Sequence, residues 1–106
     1  MKNKAKIITY QKLYKKSEDF IKRLLIENLP AGSKIFLFGS RAKGDSSKSS
    51  DIDVGVMSGN LDKKTIIKIK EIIDESFVPF RVDIVDFSKV DENFKKEALR
   101  RIVPWN

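Results

Sequence analysis

The chain contains no cysteine and no histidine. Without cysteine there is no disulfide framework and no thiolate metal site. Without histidine the commonest general base and zinc ligand is missing, so any catalysis falls to carboxylates and to metals held by oxygen. No apolar run approaches the roughly 20 residues of a membrane helix. The opening MKNKAKIITY has basic residues but no apolar core, so it does not read as a secretory signal, and the cytoplasm is the expected location. What is abundant is charge: 22 Lys and Arg against 15 Asp and Glu, a net +7. Such a balance favours anionic partners. The basic residues are dispersed, however, with no aromatic-interleaved stripe, so a solvated lysine-rich surface explains them better than a nucleic-acid groove. The 106 residues, 41% hydrophobic, fit one domain spanning 1–106 with one core.

Periodicity supplies the elements. Tyr10, Leu13, Tyr14, Ile21, Leu24, Leu25 and Leu29 recur at helical spacing and predict a helix over 8–28, with Ser17 interrupting its face. Pro30-Ala31-Gly32-Ser33 ends it. Lys34 to Phe38 reads as a buried strand. Residues 40–50 read as a loop opening with a helical turn. Ile52 to Met57 alternates as a second strand. A helix over 61–77 is expected, capped by Asn60, with Leu61, Thr65, Ile66, Ile69, Ile72, Ile73 and Phe77 on one side. Phe80 to Val85 alternates as a third strand. Ser88-Lys89-Val90-Asp91 resembles a capping box for a last helix ending near Arg101, followed by a tail. The result is an α/β (α+β) domain: a small mixed sheet flanked by helices.

The chemistry concentrates in residues 36–54, FLFGSRAKGDSSKSSDIDV. Strand geometry puts Asp51 and Asp53 on one face. Two close carboxylates repel unless a cation lies between them, and their hard oxygens suit Mg²⁺ or Mn²⁺. Asp83 has the same phase on the third strand; if the strands are neighbours, three aspartates converge as a two-metal site. Gly39-Ser40 ends a strand where backbone N–H groups can cradle phosphate, and Arg41 or Lys43 could neutralise a triphosphate. Each part alone has a plainer reading: a strand-capping acid pair, a Gly-Ser turn, an ordinary strand-face acid. Asp86 is the main decoy for Asp83. Only the joint arrangement points to a site.

That arrangement resembles the signature of the DNA polymerase beta-like nucleotidyltransferase superfamily. Phe38-Gly39-Ser40-Arg41-Ala42-x-Gly44 and Ser50-Asp51-Ile52-Asp53-Val54 look like the minimal nucleotidyltransferases, the MNT proteins. The resemblance runs from about Lys34 to Arg101. It implies a nucleotidyltransferase core that binds ATP or another NTP with Mg²⁺, two ions being expected. Gly39, Ser40 and Arg41 would contact the triphosphate. Asp51, Asp53 and Asp83 would bind the metals, with Asp83 helping to activate the acceptor hydroxyl. It further implies pairing with a HEPN-domain toxin, the MNT protein acting as antitoxin by transferring NMP, with AMP favoured, to a hydroxyl of that partner. Two alternatives stay open: an antitoxin acting by steric contact alone, and nucleotide addition to RNA. Lacking the extra domain of larger relatives, the chain would complete its site through a partner or a homodimer, an interface for which Trp105, Phe94, Tyr10 and Tyr14 are candidates, core packing being the better reading of Phe94. The end Ile102-Val103-Pro104-Trp105-Asn106 departs from the glycine-containing end of the family.

Overall fold

The computed structural model describes residues 9–45, 47 and 51–106. Ile8, where the sequence pattern begins the first helix, and Ser50 of the motif lie outside the described residues. The elements in chain order are α1 (Tyr10–Asn28), β1 (Lys34–Phe38), α2 (Ser40–Lys43), β2 (Ile52–Met57), α3 (Lys63–Asp74), β3 (Val82–Asp86), α4 (Glu92–Ala98) and β4 (Val103–Pro104).

Local chemistry sets the helix ends. The Thr9 side chain accepts from the Lys12 N–H at 3.2 Å and opens α1. Leu29 turns extended ahead of Pro30, which disfavours helix in the residue before it. Ser17 does not break the buried face. It is fully buried, and its hydroxyl donates to the Leu13 carbonyl at 2.8 Å. Asp62, not Asn60, caps α3 by accepting from the Lys64 N–H at 3.0 Å. The helix is also shorter than its apolar pattern: Ile69 and Ile73 are buried, whereas Ile72 and Phe77 are exposed. Asp91, the last residue of the expected capping box, is the actual cap of α4.

The sheet order is β3-β2-β1-β4. β1 pairs antiparallel with β2 and with β4, while β2 and β3 run parallel with α3 as the crossover. On one face Ile35, Leu37, Ile52, Val54, Val56, Val82 and Ile84 pack with Ile21 and Leu25 of α1 and Ile69 and Ile73 of α3. On the other, Phe36, Phe38 and Phe87 form an aromatic layer, joined by Ala98 and Leu99 from the end of α4. Gly55 stands opposite Phe36 in the β1–β2 register, and a Cβ there would overlap the rings of Phe36 and Phe87.

The expected tail is a fourth strand. Trp105 is 7% exposed, and its backbone N–H donates to the Ile35 carbonyl at 2.8 Å. The Asn106 side chain completes the zipper, accepting from the Ile35 N–H at 3.0 Å and donating to the Ser33 carbonyl at 2.7 Å. Trp105 is therefore core rather than interface. Two residues of β pattern were too short to register in the sequence.

Candidate active site

The site lies where β1 ends and β2 and β3 begin. Register decides which acid joins it. Phe38 pairs with Asp53, and Asp53 pairs with Asp83 across the parallel ladder. Paired residues point to the same face, so both carboxylates rise from the aromatic side of the sheet. Asp51, one residue ahead of β2, shares that phase. Asp86 has the opposite phase. Its Oδ1 accepts from the backbone N–H and the hydroxyl of Ser88, at 3.0 and 2.6 Å, and its Oδ2 faces Lys89 at 3.7 Å. The three aspartates expected from the sequence thus share one phase at the start of β2 and β3, with Asp53 and Asp83 directly paired, and Asp86 is tied into the β3–α4 turn.

The electrostatics are those of acids set close to one another. The Asp53 carboxyl is pushed above its ordinary value of 3.8, first by burial, then by the charges of Asp83 and Asp51. Arg81 pairs with one member of the trio: its Nε lies 4.0 Å from an Asp51 oxygen across an exposed gap, a weak interaction. Among the described residues no three acids are already drawn together at metal-holding spacing. The donor chemistry nevertheless fits a hard divalent cation: three carboxylates on adjoining strands, each repelling the others, with a proton or a cation as the relief.

Gly39 links this group to α2. Its φ of 76° and ψ of −156° lie in a region open essentially to glycine, and a Cβ there would meet the Asp53 carboxylate. The chain therefore passes directly over Asp53 before turning into α2. The α2 ladder begins with the Ala42 and Lys43 N–H groups, both donating to the Gly39 carbonyl at 3.1 Å. The Ser40 N–H lies ahead of that ladder, at the end of the helix that favours anions. Gly44 closes the turn in the left-handed conformation.

The two cations after Ser40 go opposite ways. Lys43 lines a small pocket of about 180 Å³ with Phe38, Gly39, Phe94, Glu97 and Ala98. It also lines the adjoining cleft of about 460 Å³ with Asp45, Glu97, Arg100 and Arg101. Lys43 and Glu97 line both, so the two adjoin as one trough along α4 that begins at Gly39. Arg41 turns instead toward α1, its guanidinium over the rings of Tyr14 and Phe80. Phe94 is 42% exposed, with its ring edge-on to Phe38 at 6.1 Å. That the α4 residues would neighbour Gly39 and the Tyr14–Phe80 pair would neighbour Arg41 was not legible: they carry ordinary helix and strand patterns, and only the packing brings them here.

Comparison with known proteins bears on the family and the fold. The sequence profile of the family described as Polymerase beta, Nucleotidyltransferase matches residues 19–103. The chain is 35% identical over 89 residues to the probable protein adenylyltransferase MntA of Haemophilus influenzae, covering 82% of this chain and 77% of that one. A crystal structure of a toxin–antitoxin with AMP-PNP contains a chain that superposes with a TM-score of 0.71 at 27% identity, covering 84% of this chain and 72% of that one. The fold is also that of a chain in the complex of a tri-AMPylated Shewanella oneidensis HEPN toxin with an MNT antitoxin (TM-score 0.67, 24% identity, 87% and 71% covered). With the family profile over most of its length and this fold beneath it, the chain belongs to the polymerase beta nucleotidyltransferase family, as a minimal nucleotidyltransferase.

Proposed function

We propose that this nucleotidyltransferase is a Mg²⁺-dependent protein adenylyltransferase, a single-domain antitoxin that moves AMP from ATP to a hydroxyl of a HEPN-domain partner. The observation that carries it is the pairing of Asp53 with Asp83 beneath Gly39, which sets an acid group against a phosphate-accepting turn. The relatives described as a protein adenylyltransferase and as toxin–antitoxin complexes supply the acceptor class.

In this reading Gly39 and Ser40 receive the triphosphate through backbone N–H groups and the Ser40 hydroxyl. Lys43 offsets its charge from the trough side. Asp51, Asp53 and Asp83 would hold the Mg²⁺, which, when bound, neutralises phosphate charge and steadies the leaving oxygens. Asp83 accepts the proton of the acceptor hydroxyl. That oxygen forms a bond to the α-phosphorus while the bond from α-phosphorus to the bridging oxygen breaks. The products are a protein-bound AMP phosphodiester and pyrophosphate. With three carboxylates at the centre, the site repels a bare anionic nucleotide, so binding and metal loading are coupled.

The test pairs the purified chain with its HEPN partner, ATP and Mg²⁺, and follows the partner's mass. The expected result is addition of AMP, lost in the double variant Asp51→Ala/Asp53→Ala. An unmodified partner, together with full neutralisation by the double variant in cells, would instead establish an antitoxin working by contact alone.

A further inference from the structure

Arg41 follows Ser40 directly, yet its side chain leaves the aspartate face. Its guanidinium carbon lies 4.4 Å from the centroid of the Tyr14 ring and 5.2 Å from that of Phe80. Tyr14 belongs to α1, and Phe80 stands just ahead of β3. Their rings meet edge to face at 5.6 Å, and Tyr10 meets Phe80 in the same way at 5.8 Å. The group is half-buried, where a cation over a ring is worth more than at an open surface. Burial and Glu18 push the Tyr14 phenol up to about 12, so it stays neutral across the working range of pH.

Geometry gives this contact a task. α2 has four residues, too few to hold a helical turn by its own hydrogen bonds. Ala42 packs on the core and Gly39 lies over Asp53. Arg41 supplies the tie to α1 and to the start of β3. A guanidinium is flat and stacks with a defined orientation, so two rings fix it better than they would fix an ammonium. We infer that Tyr14 and Phe80 are positioning residues acting through Arg41: the clamp holds α2, and with it the Gly39–Ser40 turn, at the height over Asp53 that triphosphate binding needs. This inference rests on the nucleotide-site reading above and changes one role within it, since Arg41 becomes a strut rather than a phosphate contact.

The test is the dissociation constant of a fluorescent ATP analogue, with Mg²⁺, for the full chain. Tyr14→Leu, Phe80→Leu and Arg41→Gln should each weaken binding by roughly 2- to 30-fold, the range of cation–ring contacts from exposed to desolvated. Tyr14→Phe keeps the ring and should bind as the parent does. The double variant Tyr14→Leu/Arg41→Gln should be no weaker than Arg41→Gln alone. A merely structural role would lower the fraction of protein that binds and leave the affinity of the remainder unchanged. That result, or losses that multiply in the double variant, would overturn the inference. If Tyr14→Leu does not fold, the same cycle is run through Phe80→Leu. A parent chain that binds no nucleotide would refute the site reading itself and the clamp with it, whereas binding with multiplying losses refutes the clamp alone.

Discussion

Replacing Asp53 by Asn should make the protein more stable while removing its activity. Asp53 sits directly opposite Asp83 in the parallel ladder and beside Asp51, and all three repel when ionised. Like charges facing each other across strands cost about 0.2–1 kcal/mol. Asp53 is only partly buried, so solvent discounts the penalty and the lower half of what two neighbours could exert is the fair expectation. The amide keeps the shape and removes the charge, for a gain of about 0.5–1 kcal/mol, or about 2–6 °C in Tm for a domain of this size. The pH dependence has a definite sign. Because the folded carboxyl titrates above 3.8, the native state holds its proton longer than the unfolded chain does. Stability attributable to this residue is therefore greatest at low pH and falls as pH rises through the folded value. The variant and the parent should have equal Tm well below 3.8 and diverge above it, reaching a constant gap near neutrality. Mg²⁺ should raise the Tm of the parent by mass action and leave that of the variant almost unmoved. Thermal scans across pH, with and without Mg²⁺, check this. A variant less stable than the parent at pH 7, or one with an undiminished Mg²⁺ response, would refute the view of Asp53 as a strained metal ligand.

Other outcomes follow from the packing. Gly39→Ala should cost about 1–3 kcal/mol from backbone conformation alone and abolish nucleotide binding, because its Cβ meets the Asp53 carboxylate; denaturant unfolding and nucleotide titration measure the two effects. Gly55→Ala should cost about 1–3 kcal/mol by overpacking the Phe36 and Phe87 rings, seen as a lower denaturation midpoint. Trp105→Ala should cost about 3–5 kcal/mol, since β4 is held to β1 largely by that buried ring and the Asn106 hydrogen bonds; a change below about 1 kcal/mol would place Trp105 outside the core.

The two central strands were legible in the sequence almost to the residue, because alternating apolar positions bounded by Gly, Pro and Ser leave one reading. β1 spans Lys34–Phe38 and β2 spans Ile52–Met57, as the pattern predicts. The third strand was displaced by one to two residues: Phe80 and Arg81 carry the alternation but precede the ladder, which starts at Val82. Pairing partners, not propensity, set that boundary. The shared phase of Asp51, Asp53 and Asp83 was legible for the same reason as the strands, since alternation alone separates Asp83 from Asp86. What phase cannot give is adjacency, and the Asp53–Asp83 register needed the fold. The destination of Arg41 was illegible altogether. Local sequence makes it a phosphate-loop cation, while two rings from distant segments take its guanidinium away from the aspartate face. The fourth strand was missed because two residues have no period.

The central claim is AMP transfer to a protein hydroxyl, and the position of the label in ATP tests it most directly. The HEPN partner is incubated with the chain, Mg²⁺ and ATP labelled at either the α- or the γ-phosphate, then separated from free nucleotide. The account predicts that the α label stays with the partner, that the γ label leaves as pyrophosphate, and that Asp53→Asn abolishes the retained signal. Retention of the γ label, or an α signal undiminished in the Asp53→Asn variant, would contradict it.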